Sequence, residues 1–468
     1  MAKGYLPYDV DQQLLLPPDM RCWLPEGHLA LFILDVVREL DLSALHQAHK
    51  TKDSRGRAGY HPTMMLALLV YAYCVGKPSS RRIEKATYED VAFRVLSGDQ
   101  HPDHASIALF RKDHLQTLAG LFTQVLELCR AAGLVKLGHI AIDGTKIKAN
   151  ASKHKAMSYE RMGEAEKKLE EEVRRLLSEA ERVDAEEDAQ YGKDQRGDEL
   201  PEELKRREDR LRKIREAKTA LELEAKQKAE AQAAEAREKL AERARKEAET
   251  GKKVGGSAPK LPDAAQAKPE PKVQRNFTDP ESRIMPDGAN KGAFLQGYNA
   301  QIAVDSEAQI IVAAFITQSA NDVQQLVPMA EAIVDNVGRL ADTTSADAGY
   351  FSEQGIAHPA LTPTNLLVPP NRQKHGEEPT QAPLEPNASA AQQMRHKLAA
   401  TDARELYKQR KAIVEPVFGQ IKEARGFRRF LLRGLEAVRG EFAFIAMTHN
   451  LLKLFRCPAR PVVMAATG

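Results

Sequence analysis

The chain has 468 residues, 42% of them hydrophobic and 6% aromatic, with 69 Lys+Arg against 66 Asp+Glu and a formal net charge of +3. That length holds two or three domains with sizeable cores, and the charge balance excludes a protein that engages nucleic acid through bulk positive charge alone. The four cysteines, Cys22, Cys74, Cys129 and Cys457, lack CxxC spacing, which excludes such a metal or redox pair and leaves free thiols in a reducing cytosol.

In chain order, Met1-Ala2-Lys3-Gly4-Tyr5 has no apolar signal-peptide core. The longest apolar stretch, Met64 to Val75, is too short for a bilayer core of roughly 30 Å, so a cytoplasmic protein without a membrane partner is expected. Residues 1–135 read as a compact helical domain. Leu29, Leu31, Ile33, Leu34 and Val37 have helical spacing, and Trp23 reads as core. Pro62 suits a first helical turn, Thr63–Val75 continues as a buried helix, and Gly76 and Pro78 end it. Cys74 and Cys129 fall on apolar helices as buried residues. Ser79-Ser80 caps a further helix bearing Arg81 and Arg82. These helices fit either a helix-turn-helix DNA reader or an ordinary bundle with solvated arginines.

Gly138–Ile142 is a short apolar strand leading to Asp143. The composition then changes abruptly. Tyr159 to Glu249 is rich in Ala, Glu, Lys and Arg, with Leu169, Val173, Leu176, Ala180 and Val183, then Leu204, Leu211, Ala217 or Lys218, and Leu221, at coiled-coil spacing. A helical hairpin turning between Tyr191 and Pro201 is predicted over 159–250, followed by a Gly/Pro-rich flexible linker over 251–275. Phe294–Val304 and Gln309–Ile316 read as a β-hairpin turning at Asp305-Ser306-Glu307-Ala308. Asp322 reads as a cap for a helix running to about Val337. A strand near Thr343–Ala346 delivers Asp347, and Leu366-Leu367-Val368 is another. A basic helix from about Asp402 carries Glu415, and an apolar helix from about Glu436 to Leu454 holds His449 and Asn450 as core polar groups. Between Arg395 and Arg439 there are twelve Lys/Arg against five Asp/Glu, a local basic field suited to a phosphate backbone.

With the insertion set aside, this is an α/β chain whose strands and helices follow the ribonuclease-H-like order: a helical N-terminal domain (1–135), a first strand and Asp block (136–158), the inserted hairpin and linker, the remainder of the catalytic domain (276–456), and a tail (457–468). The blocks Asp143-Gly144-Thr145-Lys146-Ile147-Lys148-Ala149-Asn150, Gly297-Tyr298-Asn299-Ala300-Gln301, Ala346-Asp347-Ala348-Gly349-Tyr350 and Val414-Glu415-Pro416-Val417-Phe418-Gly419-Gln420-Ile421-Lys422 resemble, in order, those of bacterial insertion-sequence transposases of the DDE type. His449-Asn450-Leu451 is similar to the usual tail, and the 1182-type group is the nearest likeness.

The resemblance implies a catalytic and metal-binding triad of Asp143, Asp347 and Glu415. It implies two Mg²⁺ ions, with Mn²⁺ as a substitute, because hard divalent cations prefer carboxylate oxygens and two ions can serve both sides of a phosphodiester displacement. It further implies a Tyr–Arg–Glu–Lys signature with two, three and six intervening residues. Here Tyr407, Arg410, Glu415 and Lys422 give two, four and six, so Arg410 and Lys411 compete for one phosphate contact. Pro416 is expected to disturb the helix at Glu415. Lys422, Arg425, Arg428, Arg429 and Arg433 are expected on DNA phosphates, and Arg81 and Arg82 on end DNA. The expected partners are terminal inverted repeats, target DNA and a second copy of the chain. The rival readings are a metal-dependent nuclease without strand transfer and a non-catalytic DNA-binding relic. Asp305, Asp322, Asp342 and Glu423 read as acids outside the site.

Overall fold

A computed structural model of the chain describes residues 19–50, 59–191, 202–251, 255–288, 290, 292–371, 385 and 388–457. Two compact units emerge, one of Met1–Lys148 with Tyr298–Gly468 and one of Ala149–Gly297.

The first unit opens with helices α1 (Leu29–Glu39), α2 (Ser43–Lys50), α3 (Pro62–Cys74), α4 (Ser80–Glu89), α5 (Val91–Ser97), α6 (His104–Asp113) and α7 (Leu115–Ala131). Helix α3 starts on Pro62, whose missing N–H costs nothing in a first turn, and is buried from Met65 through Cys74. Gly76 ends it with φ +71, and a Cβ there would stand 2.7 Å from the Arg425 carbonyl oxygen. Gly76→Ala therefore combines left-handed strain with a backbone clash. A loss of about 2 kcal/mol or more is expected, read as a lower urea midpoint with an unchanged slope.

Strand β1 (His139–Lys148) leads out of this unit. The second unit holds β2 (Ala156–Ser158), α8 (Tyr159–Tyr191), α9 (Glu202–Thr250), β3 (Gln274–Asn276), β4 (Arg283–Pro286) and the start of β5 (Phe294–Asp305). Helices α8 and α9 pack together through Met162, Leu169, Leu211, Ile214, Ala217 and Leu221; Leu169, Leu211, Ala217 and Leu221 belong to the predicted spacing, Met162 and Ile214 do not. Glu166 ties Arg215 and Lys218 across them. The predicted turn at 192–201 lies outside the described residues, as do the side chains of Ala180, Val183 and Leu204. The unit is larger than the predicted 159–250. Strands β2 and β3 pair antiparallel, Phe277 packs on the hairpin core, and Glu224 binds Arg275 and Arg283. The described part of the predicted linker is also anchored: Gly256 accepts from Arg243, Pro269 is buried, and Pro271 and Val273 accept from the backbone of Glu160 and Tyr159.

The first unit resumes with the rest of β5, then β6 (Ile311–Thr317), α10 (Leu326–Val337), β7 (Thr343–Ser345), α11 (Glu353–Ile356), β8 (Asn365–Leu367), α12 (Ala390–Ala399), α13 (Thr401–Gly419) and α14 (Leu435–Arg456). Its strands lie in the order β6–β5–β1–β7–β8, with β5–β6 antiparallel and β1–β7 and β7–β8 parallel. The short β4 adds to the opening residues of β5 in the second unit, a strand beyond the predicted five.

The predicted helical N-terminal domain is not a separate body. Its helices share a core with α14: Tyr73 stacks on Phe427 and meets Phe444 edge-on, Phe32 meets Phe455, and buried Cys74 and Cys129 lie 3.8 Å from the carbonyls of Thr448 and Asn450. Trp23 is only half-buried, under the Arg94 guanidinium. His449 and Asn450 are buried as expected and bind the Gln309 and Ile311 backbone. No helix among the described residues is long and apolar enough to cross a membrane.

Candidate active site

Parallel pairing of β1 and β7 sets Ala141 opposite Ser345. Asp143 and Asp347 each lie two residues further along, so neighbouring strands deliver both carboxylates to the same end of the sheet. This is the end at which open α/β sheets hold ligands. Asp347 leaves its strand as the cap of a short turn, accepting from the Gly349 N–H at 2.9 Å, so it is a turn residue as well as a candidate ligand.

Asp143 is 21% exposed, and its Oδ2 accepts from the guanidinium of Arg410 at 3.2 Å. Burial pushes the Asp143 carboxyl up to about 6, Arg410 opposes the shift, and the Asp347 charge adds to it. Burial works against the Arg410 charge, yet Asp143, Tyr407 and Asp347 outweigh it and hold its pKa above the usual arginine value. Tyr407 sits half-buried with its ring 6.0 Å from that guanidinium. A divalent cation on Asp143 must displace the proton that burial favours. Mn²⁺ affinity is therefore expected to be flat above pH 7 and to fall about tenfold per unit below about pH 6, read by titrations between pH 5 and 8.

The sequence-predicted residues divide sharply. Arg410, not Lys411, reaches the acids, and Lys411 is exposed. Lys422 reaches in as well, donating to Thr145 Oγ1 at 2.8 Å from a π-helical turn, Gln420–Ala424. Arg425 is the clearest correction: it is buried, donates to Thr448 Oγ1 and the Ile445 carbonyl, and covers the Phe427 ring, so it cannot lie on a DNA-facing surface. Burial lowers its pKa to about 10, against a smaller opposing effect of Cys74. Arg428, Arg429 and Arg433 are exposed, Arg428 in an ion pair with Glu423. Backbone bonds from Lys148 to Arg428 and from Phe430 to Lys148 fix this segment at the end of β1. Arg81 and Arg82 are exposed on α4.

Glu415 does not join the two aspartates. It is exposed, and five residues along an α-helix place it about 140° around α13 from Arg410, which is the residue that faces Asp143. Among the described residues no three Asp, Glu, His or Cys side chains form a group that could hold a metal ion. The oxygen pair of Asp143 and Asp347 suits a hard cation; the third predicted acid stands outside it. Pro416 does not break α13, which is helical from Thr401 to Gly419. The Ala412 carbonyl that Pro416 cannot serve instead accepts from Gln309 Nε2 at 3.1 Å.

Asp322 is the residue that sequence reasoning misplaced. It caps no helix, since Gln325 holds the N-cap position of α10. Its Oδ1 accepts from Asn299 and Gln301 at 2.6 and 2.7 Å, with Lys146 at 3.7 Å. The available signal was the i, i+2 spacing of Asn299 and Gln301, which puts two carboxamides on one face of a strand.

Residues 18–113 match the family described as Transposase domain (DUF772), and residues 371–455 match the Transposase DDE domain. The first match holds Arg81 and Arg82; the second holds Tyr407, Arg410, Glu415 and Lys422 but neither aspartate. No curated protein and no solved structure matches the chain. With transposase domains matched in both its N-terminal and C-terminal regions, the chain is supported as an insertion-sequence transposase of the DDE type.

Proposed function

We propose that the protein is a Mg²⁺-dependent transposase of the 1182-type group that cuts DNA at the ends of its own element and joins the freed 3′-hydroxyls to target DNA. The observation that carries this reading is the shared position of Asp143 and Asp347 at one end of the β1–β7 pair. The strand order β6–β5–β1–β7–β8 supports a ribonuclease-H-like domain.

Asp143 and Asp347 would hold the metal, with Mg²⁺ native and Mn²⁺ able to replace it. When bound there, a divalent cation would supply Lewis-acid chemistry, lowering the pKa of the attacking water and neutralising the leaving oxygen. We assign Glu415 to the DNA-bound assembly, because on α13 it is exposed and forms no metal-holding group with the two aspartates among the described residues. Arg410 balances the charge of Asp143. Lys411, Arg428, Arg429 and Arg433 supply exposed charge for the phosphate backbone, and Lys422 brings a further cation beside Thr145. Arg81 and Arg82 mark α4 as the element that meets the terminal inverted repeats. Two ends must be held together for joining, so a homodimer on DNA is part of the proposal.

The test is to incubate the protein with Mg²⁺, a labelled duplex carrying the element's end and a target plasmid. Label joined covalently to the plasmid is the expected product. Cleavage without joining would favour a nuclease, and end-specific binding without cleavage would favour a DNA-binding relic.

A further inference from the structure

A polar network reaches the backbone beside each aspartate. Asp322 Oδ1 accepts from the carboxamides of Asn299 and Gln301 and stands 3.7 Å from the Lys146 ammonium. The other end of the Gln301 carboxamide accepts from the Tyr350 hydroxyl. Gln301 and Tyr350 are fully buried, and Tyr350 closes the turn that Asp347 caps, its N–H bonded to the Asp347 carbonyl.

The network also touches the other strand. A Cβ on Gly144, the neighbour of Asp143, would run into the Gln301 amide and come 3.0 Å from Asp322 Oδ1. A Cβ on Gly349 would lie 3.0 Å from Asp347 Oδ1 and 3.9 Å from Asp322 Oδ2. Asp322 and Gln301 therefore fill the space between the backbone after Asp143 and the turn after Asp347. The Gln301 carboxamide is met at both ends, while the buried Asn299 Oδ1 has no partner among the described residues. A buried group met at both ends is held in one orientation, and changing a partner that orients a metal ligand typically costs about 10–100-fold in metal affinity.

We propose that Asp322 is a positioning residue: through Gln301 and Tyr350 it fixes the Asp347 turn against β1, and so sets the separation of the two carboxylates that hold the metal. This rests on the assignment of Asp143 and Asp347 as that pair. The network makes a donor–acceptor prediction that packing alone does not. Asp322→Asn keeps an oxygen that can accept from both carboxamides, whereas Asp322→Leu keeps the bulk and removes the acceptor, and Gln301→Glu sets two carboxylates together.

The experiment measures Mn²⁺ binding to the full chain by calorimetry, beside the Mg²⁺ dependence of end cleavage and the urea midpoint. Asp322→Leu and Gln301→Glu are each expected to weaken Mn²⁺ binding about 10–100-fold, and Asp322→Asn to stay within a few-fold of the unaltered chain. Tyr350→Phe deletes one hydroxyl and covers the case in which Asp322→Leu does not fold; about a tenfold loss is expected there. Folded Asp322→Leu and Gln301→Glu variants with unaltered Mn²⁺ affinity would overturn the inference, as would an Asp322→Asn variant no better than Asp322→Leu. An unaltered chain that neither binds Mn²⁺ nor cuts would remove the proposed function, and this inference with it.

Discussion

Asp143→Asn is expected to abolish Mg²⁺-dependent cleavage and joining while leaving binding of end DNA within a few-fold of the unaltered chain. The change keeps the size of the side chain, so the amide can still accept the Gly144 N–H that Asp143 Oδ1 accepts at 2.8 Å. What it removes is the charge that a cation needs. Losing one group aimed at developing charge costs on the order of 10²–10³-fold, and a lost metal ligand should cost at least as much. EDTA should reproduce the effect in the unaltered chain. Persistent cleavage by Asp143→Asn under Mg²⁺ would sink the assignment of Asp143, whatever the fate of the transposase reading.

Arg410→Met should have the largest effect on stability. The Arg410 side chain is 8% exposed and bonded to a carboxylate that burial already disfavours. Breaking a buried pair by removing one partner costs about 3–5 kcal/mol, and that full cost applies only where Asp143 is ionised. Because its folded pKa of about 6 lies above the ordinary 3.8, Asp143 favours the native state most below the ordinary value. That contribution is lost as pH rises through the folded one. Without Arg410 the folded value climbs further, so the variant should be weakest at pH 8 and recover much of the loss by pH 5. Urea unfolding at the two pH values reads this directly. An equal deficit at both would mean that Arg410 acts through packing, not charge.

The elements were legible because each announces itself locally. Asp143 ends an apolar β run, and the hairpin insertion has a heptad pattern that no strand could carry, whereas Asp347 follows the polar run Thr343-Thr344-Ser345-Ala346 and stood out only by its resemblance to a transposase block. What escaped was decided across the chain. Arg425 belongs to a run of arginines whose inward and outward members composition cannot separate; only Ile421, Phe427 and Phe430, all buried, hint that the chain turns inward there. Pro416 is tolerated because Gln309, over a hundred residues earlier, serves the carbonyl it leaves open. Asp322 looked like a cap because Asn-Asp before an apolar stretch is a common helix start, and its true partners lie on β5. The shared core of the N-terminal helices and α14 was hidden for the same reason: apolar patterning says that a face is buried, not against what.

The hairpin insertion also has a consequence for how the chain is made. Strand β1 ends at Lys148, but its parallel neighbour begins only at Thr343. At about 5–20 residues per second on the ribosome, that gap lasts roughly 10–40 s. During it the apolar segment before Asp143 waits for the partner strand that covers one side of it. The α8–α9 hairpin is built from contacts close in sequence and can form early. The acids of the catalytic sheet can meet only late in synthesis, so a chain truncated before Thr343 should yield a folded hairpin but expose an aggregation-prone strand.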